Sequence, residues 1–188
     1  MKRIAIFASG EGTNTQHLIN YFAGSDVKIA LVVCNNPSAN VLKRAEKSNI
    51  PSLIINKESF YKTDLVLKRL ITEKINLIVC AGFLWKISDA ILHKFPNKVI
   101  NIHPALLPKF GGKGMYGMNV HKAVLEAGEH ESGITIHYLN EQYDEGEIIF
   151  QAKCEIKKGD TPEMLAQKVH VLEHEHFPRV VQQIINKT

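Results

Sequence analysis

Arg3-Ile4-Ala5-Ile6-Phe7-Ala8-Ser9-Gly10-Glu11-Gly12-Thr13-Asn14 is the stretch that decides the fold. Its first six residues form a compact apolar run, the signature of a strand buried on both faces. A glycine-rich turn follows, and then a helix expected over Gln16–Phe22. Glycines let a backbone approach an anion closely, and a helix N-terminus offers free N–H groups and a positive dipole end. Gly12, with the Thr13 hydroxyl and the Asn14 amide, is therefore a candidate phosphate cradle. A plain tight turn between strand and helix has the same outline. Two commoner nucleotide fingerprints do not fit: the third glycine position of the dinucleotide motif is Thr15, and no Gly-Lys-Ser/Thr follows.

Outward from this unit the pattern repeats. Lys28–Cys34, Pro51–Ile55, Leu77–Cys80 and Val99–His103 read as further strands. Ala39–Lys47, Ser59–Lys74 and Ser88–Lys94 read as the helices between them, with Ser88 as an expected N-cap. Alternating strands and helices predict a parallel sheet covered on both faces. After a Gly- and Pro-rich loop, Pro104–Met118, comes an amphipathic helix over Val120–Ala127. Ser132–Tyr138 and Glu147–Cys154, joined by the acidic turn Asn140–Gly146, predict an antiparallel hairpin. Thr161-Pro162 reads as the cap and first residue of a last helix running to near Ile185. The expected fold is α/β: a Rossmann-like three-layer αβα sandwich, mostly parallel, with an antiparallel C-terminal portion. The expected organisation is a single domain over residues 1–188.

Composition narrows the function. The chain has 188 residues, 45% hydrophobic and 22% charged, with a formal charge of +4. The cations are scattered, with no basic run interleaved with aromatics, so nucleic acid is not an expected partner. No apolar run is long enough to span a membrane, and polar residues interrupt where a signal peptide needs its apolar core. Cys34, Cys80 and Cys154 lack metal or redox spacing and read as reduced core thiols of a cytoplasmic protein. His170 and His174 have helical i, i+4 spacing, but no third ligand completes the pattern, so no metal is expected.

The chemistry centres on Asn101-Ile102-His103-Pro104-Ala105-Leu106-Leu107-Pro108. Side chains two apart on a strand share a face, so Asn101 and His103 point the same way. Pro104 ends the strand and leaves both at its carboxyl end, where open parallel sheets bind ligands. An amide beside an imidazole can hold and protonate an oxyanion. A turn-capping Asn and a structural His are the alternative reading of the same residues.

Four segments together resemble the phosphoribosylglycinamide formyltransferases, within the folate-dependent formyltransferase superfamily. They are Ser9-Gly10-x-Gly12-Thr13-Asn14, Ala81-Gly82-Phe83, Asn101-Ile102-His103-Pro104-x-Leu106-Leu107-Pro108, and His137–Gly146 with Asp144. The resemblance implies 10-formyltetrahydrofolate as co-substrate and glycinamide ribonucleotide as acceptor. It implies catalytic Asn101, His103 and Asp144, the last favouring a charged imidazole. On that reading Asp144 and a water carry a proton from the attacking amine to the folate nitrogen. It implies ribonucleotide contacts from Gly12, Thr13, Asn14, His170 and Glu173. It implies folate contacts from Lys57, Leu84, Trp85, Lys86, Ile87, Asn101, Asn140, Glu141, Gln142, Tyr143 and Asp144. His121 matches a family histidine near the site. Trp85 stands where the family commonly has a basic residue, Asn119 replaces a frequent histidine, and Lys109–Asn119 is longer than usual. Small-molecule partners, no nucleic acid, no membrane, and a monomer or homodimer are expected.

Rival readings are weaker. The related tRNA formyltransferase and formyltetrahydrofolate deformylase carry an extra domain after or before this one. A nicotinamide dehydrogenase needs the third glycine and an acidic residue where Asn36 stands. A non-catalytic nucleotide-binding module has no use for Asn101, His103 and Asp144 together.

Overall fold

The apolar N-terminal run becomes β1 (Lys2–Ala8) and lies inside the sheet. The computed structural model describes residues 1–188. β1 pairs in parallel with β2 (Val27–Cys34) on one side and β4 (Leu77–Cys80) on the other. β3 (Ser52–Ile54) continues the parallel sheet beyond β2, and β5 (Val99–His103) continues it beyond β4. β6 (Glu131–Tyr138) and β7 (Ile148–Glu155) complete it as antiparallel strands. The order β3-β2-β1-β4-β5-β6-β7 is the expected mostly parallel sheet with an antiparallel end.

Strand alternation divides the core in two. Ile4 and Ile6 join Leu18 of α1 (Thr13–Tyr21), Val120 and Val124 of α6 (Met118–Glu126), and Val169 and Phe177 of α7 (Pro162–Lys187). Ala5 and Phe7 point the other way. They meet Phe60 of α3 (Lys57–Tyr61), Leu70 of α4 (Leu65–Thr72), and Ile91 of α5 (Asp89–Lys94). α2 (Asn40–Lys47) packs Val41 and Ala45 on the β1–β2 edge of the sheet. The inner parallel strands β1, β2, β4 and β5 bury side chains on both faces, which is why they read as mainly apolar runs, whereas the edge strands β3 and β7 bury no residue fully.

Three local expectations change. The helix expected over Ser59–Lys74 is two helices, α3 and α4. Asn56 and Ser59 form a capping box that starts α3 early, at Lys57. The Thr63 hydroxyl donates to the Ser59 carbonyl (2.8 Å) and accepts from Leu65 N–H (3.2 Å), so a side chain takes over backbone groups at the break. α1 begins at Thr13 rather than Gln16, which puts Thr13 and Asn14 in its first turn. Ser88 occupies the N-cap position of α5 without a capping hydrogen bond, whereas Thr161 caps α7 by accepting from Met164 N–H. Cys34 and Cys80 are buried free thiols, and Cys154 on β7 is half-buried.

Candidate active site

The carboxyl ends of β1, β4 and β5 bring three loops together. Ser9 N–H donates to the Gly82 carbonyl (3.0 Å), and Leu84 N–H donates to Ser9 Oγ (2.9 Å). These bonds stitch the glycine turn to the Ala81–Ile87 loop. Gly12 caps α1 with φ 70°, and a Cβ there would lie 2.6 Å from Val41 Cγ2. Only glycine suits both the left-handed backbone and the close approach.

Asn101 and His103 share a face of β5, as their spacing predicts. Across the antiparallel pairing, Asn101 stands opposite His137 and His103 opposite Thr135. Asp144, from the loop between β6 and β7, reaches over both imidazoles. Its Oδ2 is 3.7 Å from His103 Nδ1, and its Oδ1 is 3.6 Å from His137 Nε2. Its Oδ2 also accepts from Gly112 N–H (2.9 Å). The carboxylate therefore ties the loop after β5 to the loop after β6.

The hydrogen-bond network assigns the tautomers. His103 Nε2–H donates to the Phe110 carbonyl (2.7 Å), so its Nδ1 lone pair faces Asp144 when the ring is neutral. His137 Nδ1–H donates to the Tyr138 carbonyl (3.0 Å). Its Nε2 then accepts from Asn101 Nδ2 (3.2 Å), which fixes the amide and leaves the second amide hydrogen free. Phe110 (φ 57°) and Asp144 (φ 53°) both hold left-handed backbone conformations. Such positions cost about 1–3 kcal/mol each and cluster where a site must be held in shape.

The expected imidazolium is not the resting form. Burial pushes His103 below its usual value, and this outweighs the Asp144 carboxylate and the Phe110 carbonyl, which pull it up. His137 is pushed down by burial in the same way. Burial thus biases both rings toward the neutral form.

On the α1–α7 side, Asn14 Nδ2 donates to Glu173 Oε2 (2.9 Å), joining the glycine turn to the last helix. Glu173 is buried, and burial raises its pKa against the opposing Asn14 bond and His170 charge. His170 is exposed. His174 stacks on His17 at 3.7 Å between ring centres, and no group of three His, Cys, Asp or Glu side chains is placed to hold a metal.

On the β4 side, Leu84 is 51% exposed, beside an aromatic cluster of Phe60, Tyr61, Phe83 and Trp85. Tyr61 Oη donates to the Lys86 carbonyl (2.8 Å), and Lys86 pairs with Asp89. Ile87 is buried in the core, so only its backbone is left for a ligand. Asn140 accepts from Gln142 N–H, Glu141 pairs with His93, and Gln142 and Tyr143 are exposed. Lys57 is exposed on α3 and has no partner that links it to the centre.

The Phe110 carbonyl and Gly112 N–H belong to the centre but do not stand out in the sequence, and His137 stands out only as the first residue of the His137–Gly146 segment. The alternation of Thr135 and His137 in the β6 segment is a further signal, and it acquires meaning only through pairing with β5.

The chain matches the formyl transferase family over residues 2–181. It is 37% identical to the phosphoribosylglycinamide formyltransferase of Bacillus subtilis, over 98% of this chain and 95% of that protein. It is 40% identical to part of the trifunctional purine biosynthetic protein adenosine-3 of Drosophila pseudoobscura pseudoobscura, over 96% of this chain and 13% of that protein. The crystal structure of phosphoribosylglycinamide formyltransferase from Anaplasma phagocytophilum superposes with a TM-score of 0.90 at 31% identity, over 98% of this chain and 87% of that one. Similarity of this extent spans the sheet, the glycine turn and the Asn101–Asp144 centre alike, and the chain belongs to the formyl transferase family.

Proposed function

We propose that the chain transfers the formyl group of 10-formyltetrahydrofolate to the amine of glycinamide ribonucleotide in de novo purine (IMP) synthesis. The products are the N-formyl ribonucleotide and tetrahydrofolate. The observation that carries the reading is Asp144 set against His103 and His137, beside an oriented Asn101, at the same sheet edge as the Gly12 turn.

Attack of the amine on the formyl carbon forms a C–N bond, an oxyanion and a positively charged nitrogen. Asn101 has one amide hydrogen bound to His137 and one free for the oxyanion. The resemblance implies Asp144 and a water as proton carriers; with His103 biased toward neutral by burial, His103 is instead the base that takes the amine proton in this reading. Its Nε2–H is already committed to Phe110, so the proton arrives at Nδ1, facing Asp144. The imidazolium is then held by the Phe110 carbonyl at Nε2 and faces the Asp144 carboxylate at Nδ1, while Asn101 holds the oxyanion. As the bond to the folate nitrogen breaks, the proton passes to that nitrogen and His103 returns to neutral. Charge is stabilised where it develops rather than in the ground state.

Gly12, Thr13 and Asn14 hold the phosphate. Glu173, bonded to Asn14, and His170 contact the ribose and glycinamide. The folate lies along Leu84, Trp85, Lys86 and the Ile87 backbone, meets Asn140–Asp144, and directs its glutamate carboxylate toward Lys57. The exposed apolar surface of Leu84, Tyr61 and Tyr143 suits an aromatic co-substrate. We place the protein in the cytoplasm as a single domain over residues 1–188, acting on small molecules as a monomer or homodimer. Nucleic acid and membranes are not among its partners in this reading; no helix is long and apolar enough to cross a membrane.

The test mixes the protein with 10-formyltetrahydrofolate and glycinamide ribonucleotide and follows folate absorbance. No transfer beside an active control enzyme rules the function out. His103→Ala is expected to lower turnover by about 100-fold or more, and full activity in that variant removes His103 from the mechanism.

A further inference from the structure

His121 lies in α6 with 3% of its surface exposed. Its Nδ1 is buried and has no hydrogen-bond partner. Folded proteins seldom leave a buried ring nitrogen unpaired, because its lost water contacts are not replaced. The surroundings indicate which partner is missing. Charges on both His170 and His103 act on the His121 ring. α6 packs against α7, the helix that carries His170 and Glu173, and His121 is near enough to His170 and to His103 on β5 to feel both charges. Burial, and then those two imidazoles, hold its pKa down to about 4, so the ring is neutral near pH 7. A neutral imidazole is a poor partner for a phosphate dianion and a good one for an uncharged amide. In glycinamide ribonucleotide an amide separates the ribose from the reacting amine.

We infer that His121 Nδ1 hydrogen-bonds the amide joining ribose to glycine in the bound ribonucleotide, and so sets the span between the glycine turn and His103. Either tautomer serves: Nδ1–H donates to the carbonyl, or its lone pair accepts from the amide N–H. His121 is a binding residue and moves no proton in the reaction. The inference rests on the ribonucleotide being seated between Gly12–Asn14 and His103.

The full chain is titrated calorimetrically with glycinamide ribonucleotide, with ribose 5-phosphate, which lacks the amide, and with tetrahydrofolate. His121→Phe keeps the volume and removes both nitrogens. His121→Asn restores a polar atom near the position of Nδ1. His121→Phe is expected to weaken ribonucleotide binding about tenfold. It should leave ribose 5-phosphate and tetrahydrofolate binding unchanged, and His121→Asn should recover most of the loss. Unchanged ribonucleotide affinity in His121→Phe, or an equal loss for ribose 5-phosphate, overturns the contact. Should His121→Phe fail to fold, the 15N spectrum of the wild-type ring decides. Its resonances should move with ribonucleotide and stay in place with ribose 5-phosphate, and a ring blind to ribonucleotide overturns the contact. A wild-type protein that gives no heat with ribonucleotide overturns the seating itself, which separates that failure from failure of the His121 contact alone.

Discussion

Asp144 is the residue on which the site depends, because one carboxylate faces two neutral imidazoles and also holds Gly112. Asp144→Asn keeps an oxygen for Gly112 N–H, and Asn tolerates the left-handed backbone that this position requires. The variant therefore removes charge with little loss of shape. Turnover should fall by about 100-fold or more, with the Michaelis constants of both substrates moving far less. An unchanged turnover number would reject the role. The sign of the pKa effect is also fixed. Asp144 raises His103 against the larger lowering by burial, so His103 should titrate below 6.5 in the wild type and lower still in Asp144→Asn. NMR titration of the ring reads this directly, and an upward move contradicts the arrangement. His137 acts through Asn101. His137→Phe frees the amide from its anchor and should cost about tenfold to 100-fold in turnover. His137→Gln, which can still present an acceptor near Nε2, should recover part of it. Equal turnover in the Phe and Gln variants would mean that the bond to Asn101 does not orient the amide.

At the scale of elements, the hairpin β6–β7 matters more than its place at the end of the sheet suggests. It presents His137 to Asn101, and its connecting loop carries Asp144 back over β5. Gly146 closes that loop against the Tyr138 carbonyl, the same carbonyl that accepts from His137 Nδ1. A Cβ at Gly146 would overlap this backbone oxygen, which cannot move aside as a flexible side chain would. Gly146→Ala should thus lower stability by about 2–4 kcal/mol and turnover as well. Urea denaturation alongside the folate assay checks this, and a fully active, fully stable variant would show that the loop has slack. The strand-and-helix alternation was legible because each element has its own periodicity. The break between α3 and α4 was not, because the periodic residues Leu67, Leu70 and Ile71 all lie within α4 and carry no information about Thr63, whose side chain diverts the backbone hydrogen bonds. Likewise Asn101 and His103 could be assigned to one face from spacing alone, whereas His137 gained its role from register across a hairpin.

For the whole molecule, burying three histidines near one centre has a consequence in acid. His103, His121 and His137 are all held below their usual value, first by burial. The unfolded chain then binds more protons than the folded one as pH falls from 6.5, and stability drops through that window. For His121, with a folded value of about 4, the loss is on the order of 3 kcal/mol by pH 4. Glu173 works the other way, since its raised pKa favours the fold most in acid. Stability to urea should decline between pH 6.5 and 4, and less steeply in His121→Phe; a flat profile in the wild type would refute the assignment of neutral buried rings. The sequence by itself determined the layered sheet, the glycine turn and the shared face of Asn101 and His103, because these follow from local periodicity and backbone freedom. The approach of Asp144 to His103 and His137, the burial that biases His103 toward its neutral form, and the contacts of Phe110 and the unpaired Nδ1 of His121 were decided only by tertiary structure. Burial, strand register and the approach of distant loops are properties of packing, and packing fixes both which groups meet and how much water remains to hold their charge.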